Sequence, residues 1–265
     1  MRVVVVAGPG ARPDVDAVRR FAARTNLGVV NTWGLKGLFP WDSPFHLGTA
    51  GLQARDFELA GVQDAERVVG VGLDEDESPR AQLGALTEVS AADLDALAAE
   101  LGRNDEPPTR PPLYTALAAA VGPLYAADDT PMNPARAARD LASVDAFVAA
   151  DPGPAGLWVA RTYPTTKLGS VFVPARRDGS ALEAALAHGG PAVVVTTAPL
   201  RFTPRGDVVV EVWGDDRAAM TPDERLARLQ HALSRPGPHV LPVPVDFSWT
   251  RVLVDVAGPV RAWTE

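Results

Sequence analysis

Short runs of β-branched residues recur along this chain and alternate with segments of helical periodicity. The first run, residues 2–7, ends at a Gly-Pro-Gly turn. The next segment places its apolar residues on one helical face, and these are Val15, Val18, Phe21 and Ala22. A second strand then begins at Val29. This strand, helix, strand order predicts a doubly wound unit, because a right-handed crossover returns the chain to a parallel neighbour.

The same alternation returns in the second half of the chain, after a proline-rich segment. Residues 103–112, RNDEPPTRPP, contain four prolines and no apolar residue, which is typical of a semi-rigid linker. Strands are predicted beyond it at 147–150, 192–197 and 208–213. We therefore predict two α/β domains, residues 1–102 and 113–265, each doubly wound and Rossmann-like with a mainly parallel sheet.

Prolines and glycines interrupt the stretch that follows the second predicted strand. They exclude a long regular element and predict an ordered loop from Trp33 to Gly51, followed by a brief helix at 53–60. Lys36 and His46 are the polar residues in this loop that could contact a phosphate or act as a base. The simpler interpretation is a solvated lysine and a histidine that caps its own loop.

The ends of two predicted strands supply candidate ligand contacts. Gly8 and Gly10 follow the first strand, where a phosphate could meet a helix N-terminus, although a Gly-Pro turn that only reverses the chain is the favoured explanation. Asp74 follows the strand at 67–72, and its carboxylate could accept a hydrogen bond from a ribose hydroxyl. It lies in the acidic run LDEDES, residues 73–78, which is more typical of a solvated loop.

Composition narrows the classes of partner. The formal net charge is −8 and the pI is near 5.1, which argues against nucleic acid or an anionic membrane as a partner. The chain has no cysteine, so disulfides and thiolate metal sites are excluded. The apolar run at the N-terminus is too short for a signal peptide or a membrane span, and we predict a cytoplasmic protein.

Three motifs resemble a known family. TWGLKGLFP at 32–40, HLGTAG at 46–51 and VVGVG at 68–72 resemble the central domain of thiamine diphosphate (ThDP) enzymes of the acetolactate synthase and benzoylformate decarboxylase type. Asp151, Gly153 and Trp158 form a D-x-G-x-x-x-x-W pattern similar to the edge of the ThDP site in the cofactor domain. The resemblance implies a central domain followed by a shortened, degenerate cofactor domain.

The resemblance also implies where ligands would bind. In some members the central domain helps to hold FAD or an adenine nucleotide. The matching positions in this chain are Gly8, Gly10, Thr32, Trp33, Gly72 and Asp74. The set Asp151, Gly153 and Trp158 would be a vestigial ThDP edge.

The residues that the family needs for its chemistry are not found. It binds the magnesium ion of ThDP through a G-D-G turn and a later asparagine. No G-D-G occurs here, and the last asparagine is Asn133, upstream of the strands concerned. Gly206-Asp207 and Gly214-Asp215 are the nearest substitutes and are interpreted as turns. The glutamate that acts on the ThDP ring belongs to an amino-terminal domain, which the sequence is expected to lack.

We therefore predict no catalytic residues and no metal site, and the four histidines are too scattered for a standard metal-ligand spacing. The favoured hypothesis is a noncatalytic protein that forms a homo-oligomer or a hetero-complex with a ThDP-enzyme-like chain. One alternative is a module that binds FAD, an adenine nucleotide or a small anion. Another is a subunit of a split ThDP decarboxylase or synthase completed by a partner.

Overall fold

The computed structural model describes residues 2–214 and 219–264, which divide into two compact units. The first unit contains Met1–Ala118, Thr165–Leu168 and Val256–Ala262. The second contains Ala119–Pro164, Gly169–Asp255 and Trp263–Glu265. The main division falls after Ala118, a few residues beyond the proline-rich segment that the sequence analysis treated as the linker.

Ten strands and nine helices are found in the described residues. The strands are β1 (Val3–Ala7), β2 (Val29–Thr32), β3 (His46–Ala50), β4 (Arg67–Val71), β5 (Leu86–Val89), β6 (Phe147–Ala150), β7 (Val171–Phe172), β8 (Ala192–Thr197), β9 (Val208–Trp213) and β10 (His239–Val243). The helices are α1 (Val15–Thr25), α2 (Asp56–Leu59), α3 (Leu94–Leu101), α4 (Pro112–Val121), α5 (Pro134–Asp140), α6 (Pro154–Thr162), α7 (Ala181–His188), α8 (Pro222–Leu233) and α9 (Thr250–Ala257).

The first unit contains a five-stranded parallel sheet with the order β3-β2-β1-β4-β5. Its central strand β1 is buried on both faces, with Val5 aligned to Val29 on one side and to Val69 on the other. Such burial explains why the strand is a continuous valine run without alternation. The chain direction around the sheet reverses between β1 and β4, which is the point where doubly wound folds bind ligands.

Strand β3 corrects one sequence-based prediction. Residues from Trp33 to Gly51 were expected to form a loop, but the last part of this stretch pairs with β2 at the edge of the sheet. The register shifts between Val29 and Asn31, and Gly48 has a φ of +120°. This irregularity and the two glycines within and after the strand removed the alternating pattern by which a strand is recognised.

The second unit contains another five-stranded parallel sheet, with the order β10-β9-β8-β6-β7. Its reversal point lies between β6 and β8. Valines of β8 and β9 pack with α7 in a core that includes Leu182, Val194 and Val210. The predicted fold class is confirmed by these two parallel sheets with their flanking helices.

Helix starts in the second unit follow the local sequence. Asn133 accepts a hydrogen bond from the Arg136 amide at the start of α5. Thr221 and Glu224 form a capping box at the start of α8. No helix among residues 2–214 and 219–264 has both the length and the apolar character needed to cross a membrane.

Candidate ligand sites at the carboxyl edges of the two sheets

Gly8, Gly10 and Gly72 meet at the reversal point of the first sheet. The Gly8 amide donates to the Val71 carbonyl and the Gly10 amide donates to the Gly72 carbonyl, each at 2.9 Å. A Cβ atom on Gly8 would lie 2.6 Å from the Gly72 oxygen, so a side chain there would force the two turns apart. The close packing of these turns therefore accounts for the glycines, and the amides that could hold a phosphate already donate within the protein.

Asp74 lies beside this contact and organises a compact turn. Its carboxylate accepts a hydrogen bond from the Asp76 amide at 2.9 Å, and its carbonyl accepts from the Ser78 amide at 2.8 Å. Glu77 and Ser78 are buried, at 1% and 0% exposure. The interpretation of residues 73–78 as a solvated loop is therefore wrong for the last two residues, Glu77 and Ser78, whereas Glu75 and Asp76 are exposed.

Glu77 is the functional candidate that sequence reasoning missed. Its Oε2 atom accepts hydrogen bonds from the Thr32 hydroxyl and, at 2.9 Å, from the Gly34 amide. Thr32 is the last residue of β2 and Gly34 follows two positions later, so the carboxylate covers the carboxyl end of that strand. Within an acidic run nothing distinguishes one buried carboxylate from its solvated neighbours, because the partners are more than forty residues away.

The environment of Glu77 changes its acidity. Burial raises the pKa of its carboxyl from 4.5 to about 7, and the nearby charge of Asp74 adds to this rise. The hydrogen bonds from Thr32 and Gly34 and the charge of Arg12 act in the opposite direction. Desolvation is the largest of these effects, so Glu77 takes up or releases a proton near neutral pH.

Thr32 and Trp33, the other members of the predicted nucleotide pocket, are also buried. Thr32 is 0% exposed and its hydroxyl is committed to Glu77. Trp33 is 3% exposed, and its ring lies 2.9 Å from where a Cβ atom on Gly51 would be. The structure thus gathers all six predicted positions near one edge of the first sheet, with the segment from Gly72 to Ser78 folded over that edge.

Lys36 is not the solvated lysine of the simpler interpretation, and His46 begins a strand where that interpretation had it cap a loop. Lys36 is 6% exposed and His46, in β3, is 8% exposed. The His46 ring packs edge-on against Tyr114 with centroids 5.9 Å apart. Burial, followed by the charges of Lys36 and Arg110, lowers the His46 pKa from 6.5 to about 3. A histidine this weakly basic is neutral at physiological pH and is a poor general base.

In the second unit, Asp151 and Gly153 lie where β6 ends, beside the reversal point of that sheet. The Asp151 carboxylate accepts a hydrogen bond from the Ala181 amide at 3.1 Å and so caps α7. Gly153 has a φ of +119° and turns the chain into α6. Trp158 is 0% exposed, and its indole nitrogen donates to the Thr250 hydroxyl at 3.0 Å. Asp151 and Trp158 thus have structural partners within the unit.

The ends of β8 and β9 are the places in the second unit where ThDP and its magnesium ion would have to fit. The three residues that end and follow β8 are Thr197, Ala198 and Pro199, and the Ala198 amide donates to the Trp213 carbonyl at 3.1 Å. The Gly214 amide donates to the Val243 carbonyl at 3.1 Å. These bonds continue the pairing of β8 with β9 and of β9 with β10 by one residue beyond the strands.

Among the described residues, those at the end of β8 do not fit the cofactor. Magnesium requires several oxygen ligands, and Thr197, Ala198 and Pro199 offer one side-chain oxygen, the Thr197 hydroxyl. The Phe247 ring lies 3.4 Å from where a Cβ atom on Gly214 would be, so an aromatic side chain lies beside the end of β9. No group of three His, Cys, Asp or Glu side chains suited to a metal occurs in the described part of the chain.

The two substitutes for the G-D-G turn have separate outcomes. Asp207 lies at the amino end of β9, where its carboxylate accepts a hydrogen bond from the Gly237 amide at 2.6 Å. It lines a cavity of about 560 Å³ at the edge opposite to the one where doubly wound sheets bind ligands. Asp215, of the Gly214-Asp215 pair, lies outside the described residues.

The second unit also contains a buried ion pair, Arg225 with Glu211, that the sequence did not reveal. Arg225 of α8 donates to both carboxylate oxygens of Glu211 in β9, at 3.0 and 2.6 Å, and the two side chains are 2% and 0% exposed. The Trp213 indole donates to Glu211 as well, at 2.9 Å. Arg225 also donates to the Ala137 carbonyl at 2.9 Å, so the pair ties α5 and α8 to the sheet.

Both units therefore have the doubly wound parallel α/β fold, with candidate sites at the strand ends. Residues 1–115 match the family model described as thiamine pyrophosphate enzyme, central domain. Over these residues, which form most of the first unit, the chain is similar to the central domain of thiamine diphosphate enzymes. No curated protein matches the sequence.

One solved structure is similar over most of the chain. It is described as the "X-ray structure of a putative thiamin diphosphate-dependent enzyme isolated from Mycobacterium smegmatis". The TM-score is 0.62 at 17% identity, and the alignment covers 92% of this chain and 61% of that chain. At this identity the similarity shows a shared fold. The present chain spans about three fifths of the length of its relative.

Proposed function

We propose that this chain is a ThDP-enzyme-like protein that has lost ThDP and magnesium chemistry and acts as a noncatalytic assembly or partner-binding subunit. The observation that carries the proposal is the set of side chains at the carboxyl end of β8, next to the reversal point of the second sheet. Thr197, Ala198 and Pro199 offer a single hydroxyl oxygen to a magnesium ion that needs several oxygen ligands. The carboxylate of Asp151 is already used, because it caps α7.

An exposed tryptophan supports the assembly part of the proposal. Trp41 is 45% exposed, although the residues immediately before Pro40 in the same segment are buried. Its carbonyl accepts a hydrogen bond from the Tyr114 hydroxyl at 3.2 Å, and the Arg110 guanidinium lies 4.0 Å above the Tyr114 ring. Tryptophan, tyrosine and arginine are the side chains most enriched in the energetic centres of protein interfaces. The proposed partner is a second copy of this chain or a ThDP-enzyme-like chain.

Calorimetric titration of the full chain with ThDP in the presence of Mg²⁺ tests the loss of the cofactor site. We expect only heats of dilution. Saturable binding in the micromolar range that disappears when Mg²⁺ is chelated would overturn this part of the proposal. Repeating the titration in the presence of a candidate partner chain tests the split-enzyme alternative, which requires binding to appear only in the mixture.

Sedimentation velocity over a range of concentrations tests the assembly role. We expect the wild-type chain to self-associate, or to form a complex with a ThDP-enzyme-like chain, and W41S to weaken that association. V240S is the matched control, because Val240 is also an exposed apolar residue, at 44% exposure. A wild-type chain that stays monomeric alone and in such mixtures would refute the assembly role.

Binding of FAD, an adenine nucleotide or another small anion at the first sheet is the second candidate function. It is supported by two hydrogen-bond donors that point to the same oxygen atom at the carboxyl end of β2, the Thr32 hydroxyl and the Gly34 amide. Thermal-shift measurements with FAD, ADP and coenzyme A test it, since a ligand at a hundred times its Kd stabilises the folded state by about 2.7 kcal/mol. If none of the three ligands changes the melting temperature, the proposed nucleotide-binding function is refuted.

A further inference from the structure

Three groups at the end of β2 form what we term the β2 cradle: the Thr32 hydroxyl, the Gly34 amide and the Arg12 guanidinium. The first two donate hydrogen bonds to one carboxylate oxygen of Glu77. Arg12 donates to the Gly34 carbonyl at 2.6 Å, and its positive charge favours the ionised form of Glu77. Two converging donors backed by a cation are the elements with which proteins bind carboxylate and phosphate groups.

The glycines around the cradle fit the carboxylate of Glu77 closely. A Cβ atom on Gly34 would overlap Glu77 Oε1 and would lie 2.9 Å from the carboxyl carbon. Gly34 is absent from the residues with positive φ, so the backbone conformation alone does not require glycine. A Cβ atom on Gly51 would overlap the Glu77 carbonyl oxygen. Two positions far apart in sequence are therefore shaped around the same residue.

We propose that the β2 cradle is a binding site for an acidic oxygen group and that its resident occupant is the carboxyl group of the chain's own Glu77. The segment from Gly72 to Ser78 then acts as an intramolecular plug at the carboxyl edge of the first sheet. The ligand class that the cradle accepts, once the plug is withdrawn, is a small oxyanion: a carboxylate or a phosphate group. This site lies in the first unit, so its test is independent of the ThDP titration.

Substitution of the occupant tests the proposal directly. In E77A the carboxylate is removed and the donors remain, so formate, acetate or inorganic phosphate is expected to bind in its place. The melting temperature of E77A should rise with formate concentration and reach a plateau at constant ionic strength set with chloride. Wild type and E77Q should show only the common effect of salt, because their cradles are filled. A response of E77A identical to that of E77Q would overturn the proposal.

A second variant keeps the proposal testable if E77A does not fold. T32V removes one cradle donor but preserves the volume of the side chain. The pKa of Glu77, measured from its carboxyl ¹³C shift, is then expected to rise, because a hydrogen bond to the ionised form is lost. The control is T49V, which changes a buried threonine in β3. An unchanged Glu77 pKa in T32V, or an equal change in T49V, would refute the cradle.

Discussion

Replacing Glu77 by glutamine isolates the energetic consequence of burying a titratable carboxyl at the end of β2. The substitution keeps the size and shape of the side chain and removes its ionisation. In the wild-type protein, burial raises the pKa of Glu77 from 4.5 to about 7. The folded protein therefore holds a proton on Glu77 over a pH range in which the unfolded chain has already released it.

The sign and size of the effect follow from this difference. Between pH 4.5 and 7 the folded state binds more protons than the unfolded state, so the free energy of unfolding decreases as the pH rises. The stabilisation is present below the unfolded pKa and is lost once the pH passes the folded pKa. A shift of this size corresponds to about 3 kcal/mol. E77Q lacks this term at every pH.

Hydrogen exchange of the β1 and β4 amides is the assay, because it reports on the first unit alone. The free energy of opening would be measured in wild type and E77Q at intervals from pH 4.5 to 7.5. We expect the stability of wild type relative to E77Q to fall by about 3 kcal/mol across this range. E75Q is the matched control, since Glu75 lies two positions away and is exposed.

A constant difference between wild type and E77Q from pH 4.5 to 7.5 would refute the reasoning. It would mean that the carboxyl ionises at its ordinary pKa and that solvent reaches it in the folded protein. A fall of equal size in the stability of wild type relative to E75Q would also refute the assignment to Glu77, because E75Q retains Glu77. In both cases the segment from Gly72 to Ser78 could not be the closed plug that its hydrogen bonds describe.

Three further results are expected. G34A should lower the free energy of unfolding by about 1–3 kcal/mol in wild type but by much less in E77A. A double-mutant cycle of chemical denaturation measures this difference. Equal losses in the two backgrounds would show that Gly34 and Glu77 are not in contact. Burial holds the His46 pKa near 3, so the free energy of unfolding should decrease as the pH falls from 6.5 towards 3. H46Q should reduce this decrease by up to about 5 kcal/mol. An acid unfolding curve that is the same in H46Q and wild type would contradict this. R225M should destabilise the second unit by about 3–5 kcal/mol in urea denaturation, because Glu211 would be left buried without its cation. Combining E211L with R225M should recover part of this loss. If R225M does not change the stability, solvent must reach the Arg225–Glu211 pair.

The parts of the fold that depend on local sequence were predictable. Valine runs identified the buried central strands of both sheets. Strand β3 was missed because its pairing with β2 is irregular and contains Gly48. An edge strand of this kind is stabilised by its neighbour more than by its own composition.

The candidate site was predictable only in outline. Sequence reasoning identified Gly8, Gly72 and Asp74 as residues at strand ends, and the structure brings them to one edge. It could not identify Glu77 as buried, because its burial depends on donors contributed by Thr32 and Gly34. Carboxylates in an acidic run differ only in their distant partners, and those partners are set by the fold.

The contact between Gly34 and Glu77 also limits the order in which this protein can change during evolution. Any side chain at position 34 meets the carboxylate, so replacement of Gly34 is tolerated only after Glu77 has been replaced or its segment has moved. Loss of Glu77 carries no such precondition. Divergent relatives with this plug are therefore expected to lose the acid first, and those that have a larger residue at position 34 should have an open edge.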